Sequence, residues 1–364
     1  MKIAKSSAAG LGWDMVHLLS INALRAAAQA SRTSARVHGQ IYSLVQKETQ
    51  QRKPYWEMVL ADAETRFTLR AWNDSPTFRQ CAELAQGGFV EVTGEFEASP
   101  NFGLDAKTWV CRALEPDEIE ALLAGPPALR EKQAADYAYI QENVAAIGDP
   151  RLKAVCTVFL EELGERFRRT AGARNNHHAR RGGLVEHTAQ MMRAAIALCG
   201  VYSFLNRDLL TAGVLLHDSG KMWENVLPAD GFVMPYDERG EMMGHISIGM
   251  ELTNRLWRQL EKQPGYDEWK KMTPRVDDLR LHLTHLILSH HGELQFGSPV
   301  APKTPEAFAL HYIDNLDAKM EMATLAYQNA GKLGPRVYEK VWPLPANLFE
   351  PLPKWTDPKS ESES

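Results

Sequence analysis

The sequence predicts an α+β protein of two domains, a small β-barrel followed by an all-α domain. Five short runs rich in β-branched and aromatic residues lie between Arg36 and Leu114. After Pro150 strand-like runs are nearly absent, and apolar residues recur at the three- and four-residue spacing of amphipathic helices. The length of 364 residues also exceeds what one hydrophobic core comfortably fills.

Composition narrows the class of protein without naming a partner. Hydrophobic residues make up 44 % of the chain and charged residues 24 %, as in an ordinary soluble globular protein. The net charge of −5 argues against a strongly basic protein that coats nucleic acid, but it does not exclude a local basic groove. Four scattered cysteines without a CxxC motif predict a reducing, cytoplasmic compartment. No apolar run is long enough for a membrane span.

The first 114 residues divide into an arm and a barrel. Residues 1–35 form an N-terminal arm that is left unassigned; its basic, amphipathic character favours a short helix or a frayed arm over a transit peptide. Residues 36–114 read as three strands, a helix and two strands, the order of an OB-fold whose open face binds oligonucleotides. Some of its aromatic residues must fill the barrel and others are candidates for stacking on bases. The stacking candidates are Trp56, Trp72 and Phe102.

Three further segments follow. Residues 115–149 are predicted to be a helical connector, broken at Pro126–Pro127. Residues 150–342 form the all-α domain. The segment 343–364 is rich in proline and then in serine and glutamate, a composition that predicts a disordered tail.

The all-α domain contains a pattern typical of a metal centre. An apolar run from Leu209 ends at His217–Asp218, and Gly220 is expected just past the end of this buried helix. Separate amphipathic segments carry further imidazoles and one carboxylate. These are His187, His245, His290, His291 and Asp314. A single histidine on an apolar face is usually a core residue, but so many together predict a site for Mn, Fe, Zn, Ni or Co.

Sequence blocks in this region resemble a known family. HHARRGGLVEHT, LLTAGVLLHDSGK, MGHISIG, LSHHGELQFGSP and HYIDNLDAKM occur in this order between residues 177 and 320. They resemble the YhaM-type 3′→5′ exoribonucleases, which join an N-terminal OB-fold to a domain of the HD superfamily of metal-dependent phosphohydrolases. The barrel resembles that family in pattern more than in identity. Residues 1–35 and the tail after Pro343 lie outside the resemblance.

The resemblance implies a ligand set for two divalent cations. The first would be held by His187, His217, Asp218 and Asp314. Asp218 would bridge to the second, held by His245 and His290, with His291 either a ligand or a substrate contact. Asp317, one helical turn after Asp314, would support the ligands. Mn²⁺ is favoured, with Co²⁺, Fe²⁺, Ni²⁺, Mg²⁺ and Zn²⁺ as alternatives.

The resemblance also implies catalytic and substrate-binding roles. Two cations would activate a water for in-line attack on phosphorus. Asp218 and Lys221 would be catalytic, Lys221 by holding the scissile phosphate or assisting the leaving 3′-oxygen. The loop before His187 would grip the 3′-terminal nucleotide, with an ordinary solvated loop as the alternative. Its residues in question are His177, His178, Arg180 and Arg181.

The predicted function is therefore metal-dependent 3′→5′ hydrolysis of single-stranded RNA to nucleoside 5′-monophosphates, with single-stranded DNA as a further substrate. A homo-oligomer is compatible with the resemblance, and no membrane partner is expected. One alternative is an HD-type phosphodiesterase or nucleotidase acting on a small nucleotide, with a regulatory barrel. Another is a non-catalytic nucleic-acid-binding protein with a structural metal.

Overall fold

The structure, a computed structural model, describes residues 16–99, 103–175 and 177–355. An antiparallel sheet occupies the N-terminal third and helices occupy most of the remainder, so the predicted α+β layout is confirmed. The elements of the first part are β1 (Leu18–Leu19), α1 (Ile21–Ala30), β2 (Thr33–Glu48), β3 (Pro54–Ala61), β4 (Arg66–Trp72), α2 (Pro76–Cys81), β5 (Phe89–Ser99) and β6 (Gly103–Ala113).

The sheet has the strand order β4-β3-β2-β5-β6, with antiparallel neighbours throughout and β1 added in parallel to β2. Three strands, α2 and two strands follow one another, as the sequence predicts. The indole of Trp109 on β6 donates to the carbonyl of Arg70 on β4 at 3.1 Å. In the described part of the chain no hydrogen-bonded ladder joins these two strands, so a closed barrel stays a prediction.

The N-terminal domain begins earlier than residue 36. Helix α1 buries Ile21, Leu24 and Ala28 against the sheet, in the same core as Val37 and Val92. The helix forms because Ser20 caps it: its hydroxyl accepts the amide of Ala23 at 3.3 Å. Residues 16–35 therefore belong to the domain rather than to a separate arm, and residues 1–15 lie outside the described chain.

The helical part surrounds one buried helix. Its elements are α3 (Pro116–Ala124), α4 (Pro127–Ala145), α5 (Pro150–Arg169), α6 (Gly183–Val201), α7 (Arg207–Leu216), α8 (Lys221–Glu224), α9 (Glu238–Leu260), α10 (Tyr266–Trp269), α11 (Val276–Ser289), a 3₁₀ turn (Leu294–Phe296), α12 (Pro305–Asn329) and the short strands β7 (Lys332–Gly334) and β8 (Val337–Tyr338). Every residue of α7 from Leu209 to Leu216 is buried, as its unbroken apolar run predicts.

The glycine after this run has a different role from the predicted one. Gly220 has right-handed helical angles (φ −67°, ψ −22°), so it does not end α7 as a left-handed cap. A Cβ at this position would lie 1.9 Å from the carbonyl oxygen of His245. The glycine is required because the start of α8 and the chain at His245 approach each other closely.

The two domains meet through a buried seam. Ala61 and Ala63 of the N-terminal domain pack with Leu227, Phe232 and other apolar residues of the helical domain. The buried side chain of Gln40 accepts the amide of Phe232 at 2.5 Å and donates to a carbonyl of its own domain at 2.9 Å. Hydrogen bonding satisfies this buried amide across the seam, so the two domains are packed together rather than loosely tethered.

The C-terminal segment differs from the expected disordered tail in its first half. Leu344 is buried against Met322 and Ala326 of α12, and the amide of Tyr338 donates to the carbonyl of Leu348 at 2.9 Å. Two leucines in this proline-rich segment, Leu344 and Leu348, pack with apolar residues of α12. Residues 356–364 lie outside the described chain. None of the described helices combines the length and apolarity needed to cross a membrane.

Candidate metal centre

Asp218, in the turn directly after α7, lies at the centre of the predicted ligands. Its Oδ2 atom is 3.3 Å from Nε2 of His217 and 3.5 Å from Nε2 of His187. Nε2 of His187 is also 3.4 Å from Oδ1 of Asp314. His187 belongs to α6, His217 and Asp218 directly follow α7, and Asp314 belongs to α12. The first three of these residues are almost fully buried.

A second group surrounds the other oxygen of the same carboxylate. Oδ1 of Asp218 is 3.6 Å from Nε2 of His245 and 3.6 Å from Nε2 of His290. These separations exceed hydrogen-bonding distance. They approach the roughly 3.0–3.4 Å between neighbouring ligand atoms that follows from metal–ligand bonds of about 2.1 Å. Each oxygen of Asp218 therefore faces two imidazoles.

His291 lies beside the second group. Its ring centroid is 4.4 Å from that of His290 and 5.1 Å from that of His245. One ring nitrogen from each of His245, His290 and His291 lies within 4.8 Å of the other two, and the corresponding atoms of His187, His217 and Asp218 are equally close.

The imidazoles are oriented by contacts to their second nitrogen. Nδ1 of His217 is 2.9 Å from the carbonyl of Val214, and Nδ1 of His290 is 2.7 Å from that of Ile287. Such a contact makes Nδ1 the donor and leaves Nε2 free to coordinate a metal. Both carbonyls lie three residues earlier in the chain, so the end of each helix fixes its own histidine.

Carboxylates orient the imidazoles of His187 and His245. Nδ1 of His187 is 2.7 Å from Oδ2 of Asp317, and Nδ1 of His245 is 3.0 Å from Oε2 of Glu224. Glu224 also accepts the backbone amide of His245 at 2.5 Å. The expected supporting role of Asp317 agrees with this contact. Glu224 was missed by the sequence reasoning, although its position three residues after Lys221 places it on the same short helix.

Unpartnered polar atoms test whether the residues fit a cation. Oδ1 of Asp218 and the Nε2 atoms of His245 and His290 are buried without a hydrogen-bond partner in the described chain. Buried polar atoms are almost always satisfied, so these three require a ligand. Two imidazole nitrogens facing one carboxylate oxygen fit a divalent transition-metal ion.

The electrostatics also favour cations. Burial opposes ionisation of Asp218, but the charges of Lys221 and His217 outweigh it and hold the pKa of this carboxyl well below its ordinary value. Burial likewise opposes ionisation of Asp314, and a hydrogen bond from His187 lowers its pKa. Burial lowers the pKa of His290, which keeps this imidazole in the neutral form that binds metals.

Lys221 lies beside the same carboxylate. Its Nζ is 2.6 Å from Oδ2 of Asp218, and its side chain is 10 % exposed. It also lines an open cavity of about 420 Å³ together with Glu224 and Arg174. The amine is thus placed between the buried metal-type ligands and a space that a substrate can enter.

The helical domain, and most of the chain as a whole, are similar to known proteins. A model of the HD domain family matches residues 184–319. The chain is 31 % identical over 291 residues to the 3′-5′ exoribonuclease YhaM of Geobacillus sp. (strain WCH70), which covers 79 % of this chain and 83 % of that protein. The chain belongs to the YhaM family. The resemblance stated from the sequence blocks is thereby confirmed.

Solved structures add little to the family assignment. RecG bound to a three-way DNA junction is 18 % identical, over 28 % of this chain and 13 % of that chain, with a TM-score of 0.23. Asparaginyl-tRNA synthetase of Entamoeba histolytica is 12 % identical, over 41 % and 36 %, with a TM-score of 0.20. Likenesses at these scores carry no argument about fold or function.

In this member of the YhaM family, three of the predicted substrate-binding residues form hydrogen bonds with other residues of the chain. His178 is fully buried, and its Nε2 is 2.9 Å from Asp317. Arg180 donates to both carboxylate oxygens of the buried Glu186, at 3.0 and 2.7 Å. Arg181 donates to backbone carbonyls at 2.6 and 2.9 Å. Contacts inside the fold thus occupy many of the polar atoms of these three residues, and their binding to the substrate stays a prediction.

The remaining substrate candidates are placed differently. His177 lies beside the first metal-type group, with its ring centroid 6.2 Å from that of His187, and its Nδ1 is buried without a partner among the described residues. Trp56 is partly buried against the core of the N-terminal domain. Trp72 is 38 % exposed, and its ring centroid lies 4.9 Å from that of Tyr55, with the two ring planes tilted by 34°. Phe102 lies outside the described residues.

Proposed function

We propose that the protein is a metal-dependent 3′→5′ exoribonuclease that shortens single-stranded RNA and releases nucleoside 5′-monophosphates. The observation that carries this proposal is the Asp218 carboxylate, each of whose oxygens faces two imidazoles, in a chain of the YhaM family. The 3′→5′ direction and the RNA substrate are supported by the name of the Geobacillus relative, a 3′-5′ exoribonuclease.

The proposed ligands divide into two sets that share Asp218. The first set is His187, His217, Asp218 and Asp314, and the second is Asp218, His245, His290 and His291. The orienting contacts of the imidazoles support this division. Imidazole and carboxylate donors without a thiolate suit Mn, Fe, Zn, Ni or Co, and Mn²⁺ is the cation we favour among these.

The bound cations would supply an activated water and neutralise charge on the attacked phosphate. Lys221 would hold a non-bridging oxygen of that phosphate or assist departure of the 3′-oxygen, because its amine lies between Asp218 and the cavity. His177 would contact the terminal nucleotide. Burial, and then the charge of Lys221, lowers its pKa to about 4, so His177 is neutral at physiological pH and can accept a hydrogen bond.

The N-terminal domain is proposed to hold the strand away from the reaction site. The exposed face of Trp72, supported by Tyr55, suits stacking on a base without sequence preference. We assign residues 150–342 to the catalytic domain and 115–149 to a connector. Single-stranded DNA as a second substrate, a homo-oligomeric state and a cytoplasmic location belong to the same proposal.

A 5′-labelled single-stranded RNA, incubated with the purified protein and Mn²⁺, Mg²⁺ or chelator, tests the activity. We expect a ladder that shortens from the 3′ end, requires the metal and is lost in Asp218→Asn. Asp277→Asn, at an exposed position on α11, is the matched control and should retain activity.

Two results would contradict the proposal in different ways. Hydrolysis of cyclic or linear mononucleotides without shortening of RNA would favour the small-nucleotide phosphodiesterase. Unchanged RNA decay in Asp218→Asn would place the activity elsewhere, since this residue belongs to both ligand sets.

A further inference from the structure

We propose that Arg66 and Arg174, which lie at the junction of the two domains, bind a phosphate of the RNA strand next to the phosphate that reacts. The inference rests on the proposed function and adds a substrate-binding site to it. A cavity of about 230 Å³ lies between the β3–β4 turn and the loop before α6, and both arginines line it.

The two arginines hold their positive charges without a carboxylate partner. The Arg66 guanidinium carbon lies 3.8 Å from the centroid of the Tyr42 ring. Arg174 donates to the backbone carbonyls of Glu224 at 2.8 Å and Pro235 at 3.0 Å. Stacking and carbonyl contacts position a guanidinium but leave its charge uncompensated. Over the described residues neither arginine forms an ion pair.

The other charged residues of this cavity are Arg180 and Glu64. Arg180 is neutralised by Glu186 at 2.7 Å and by Glu321 at 2.8 Å. Glu64 lines the cavity but forms no ion pair with Arg66 or Arg174 in the described chain. Arg66 and Arg174 line the same cavity, so their like charges repel each other. Burial lowers the pKa of Arg66, contact with Tyr42 raises it, and the positive charge of Arg174 lowers it.

An anion between the two guanidiniums would relieve this repulsion. Arginine donors match the tetrahedral oxygens of a phosphate and can bind it with two hydrogen bonds. A phosphodiester is the anion that this proposed enzyme always brings to its active site. Contacts to the backbone carry no base information, which suits an exonuclease that must pass along any sequence.

Arg174 connects this cavity with the reaction site. It also lines the cavity of about 420 Å³ that contains Lys221 and Glu224. Lys221 contacts Asp218 at 2.6 Å, and Glu224 contacts His245 at 3.0 Å. A strand whose scissile phosphate reaches Asp218 from this side therefore passes Arg174 before it reaches Arg66. The track runs along the domain junction rather than directly from the metal centre to Trp72.

Binding measured without cleavage tests the inference. The full-length protein in chelator is titrated into a 5′-fluorescein-labelled single-stranded RNA, and fluorescence anisotropy gives Kd at several salt concentrations. We expect Arg66→Gln and Arg174→Gln each to raise Kd about tenfold and to reduce the slope of log Kd against log salt by about 0.7. Arg255→Gln, whose arginine pairs with Glu162 on an exposed surface, is the control and should match the wild type.

A lysine variant separates charge from structure. Arg66→Lys keeps the positive charge but loses the planar stack on Tyr42, so it should recover most of the salt slope. Circular dichroism melting of every variant reports any loss of fold. Failure of the lysine to restore the slope in a folded protein would assign Arg66 a purely structural role and overturn the inference.

The outcomes distinguish this inference from the proposed function. Wild-type slopes in both glutamine variants of an enzyme that degrades RNA would refute the phosphate site and leave the exonuclease intact. Reduced slopes in a protein that binds but never shortens RNA, with any metal, would refute the exonuclease and leave the binding site.

Discussion

Replacing Asp317 by asparagine should weaken one of the two metal sites selectively. One oxygen of Asp317 accepts from both Nδ1 of His187, at 2.7 Å, and Nε2 of His178, at 2.9 Å. Burial opposes ionisation of this carboxyl, but the hydrogen bonds from the two histidines hold its pKa well below the ordinary range. The orienting group is therefore a carboxylate at neutral pH, and the substitution removes its charge while nearly keeping its shape.

The magnitude follows from the two hydrogen bonds. A bond to a charged group contributes about 1.5–3 kcal/mol and a neutral one about 0.5–1.5 kcal/mol, so each bond loses roughly 1 kcal/mol. A total of about 2 kcal/mol corresponds to roughly a thirtyfold weaker metal affinity, within the range expected for residues that orient metal ligands. The loss falls on the set that contains His187, because the second set has its own orienting partner in Glu224.

Isothermal titration of the metal-free protein with Mn²⁺ measures this directly. We expect one of two binding phases to weaken about thirtyfold in Asp317→Asn and the other to change less than about twofold. Asp277→Asn makes the same chemical change at an exposed site and should leave both phases unaltered.

Two results would refute the reasoning. Equal weakening of both phases would mean that the two ligand sets do not act as separate sites. Unchanged affinity in both phases would mean that the contact with Asp317 does not orient His187 for metal binding.

Three further predictions concern residues around the centre. Glu224→Gln should weaken the other Mn²⁺ phase by about 10–100-fold, because Glu224 orients His245; titration measures it. Glu186→Gln should lower the free energy of unfolding by about 1.5–3 kcal/mol in urea denaturation, because this buried carboxylate accepts charge-assisted hydrogen bonds from Arg180, which keeps only Glu321 as an ionic partner; the exposed Glu165→Gln should change it by under about 1 kcal/mol. Gly220→Ala should reduce exonuclease activity strongly, because its Cβ would lie 1.9 Å from the His245 carbonyl oxygen; the labelled-RNA assay checks this.

Helix periodicity was sufficient to predict which residues meet at the centre. Apolar spacing placed His187, His290 and Asp314 on inward faces, and the structure brings them around Asp218. A buried helix face leaves few directions for its side chains, so the pattern determines the neighbours well. The succession of three strands, a helix and two strands along the N-terminal domain was predictable for a similar reason, since short alternating runs and turns follow one another in the sequence.

Charge partners were not predictable in the same way. Arg180 and Arg181 resembled a phosphate-gripping pair, but Glu321 lies 141 residues from Arg180 and the carbonyls that hold Arg181 lie about fifty residues away. A sequence displays the donors of a loop without the distant acceptors that satisfy them. Leu344 was misjudged likewise, because its apolar partner surface belongs to α12.

The seam between the domains limits how this enzyme could be divided or recombined. Phe232 is buried against alanines of the N-terminal domain, and its amide is satisfied by Gln40. A protein cut after residue 114 would expose that apolar surface and leave the amide to water, so the catalytic half should not behave as a portable module. A chimera carrying a different RNA-binding domain would have to reproduce the glutamine and the small side chains that face it. Inheritance of the two halves as one unit is the expected evolutionary pattern.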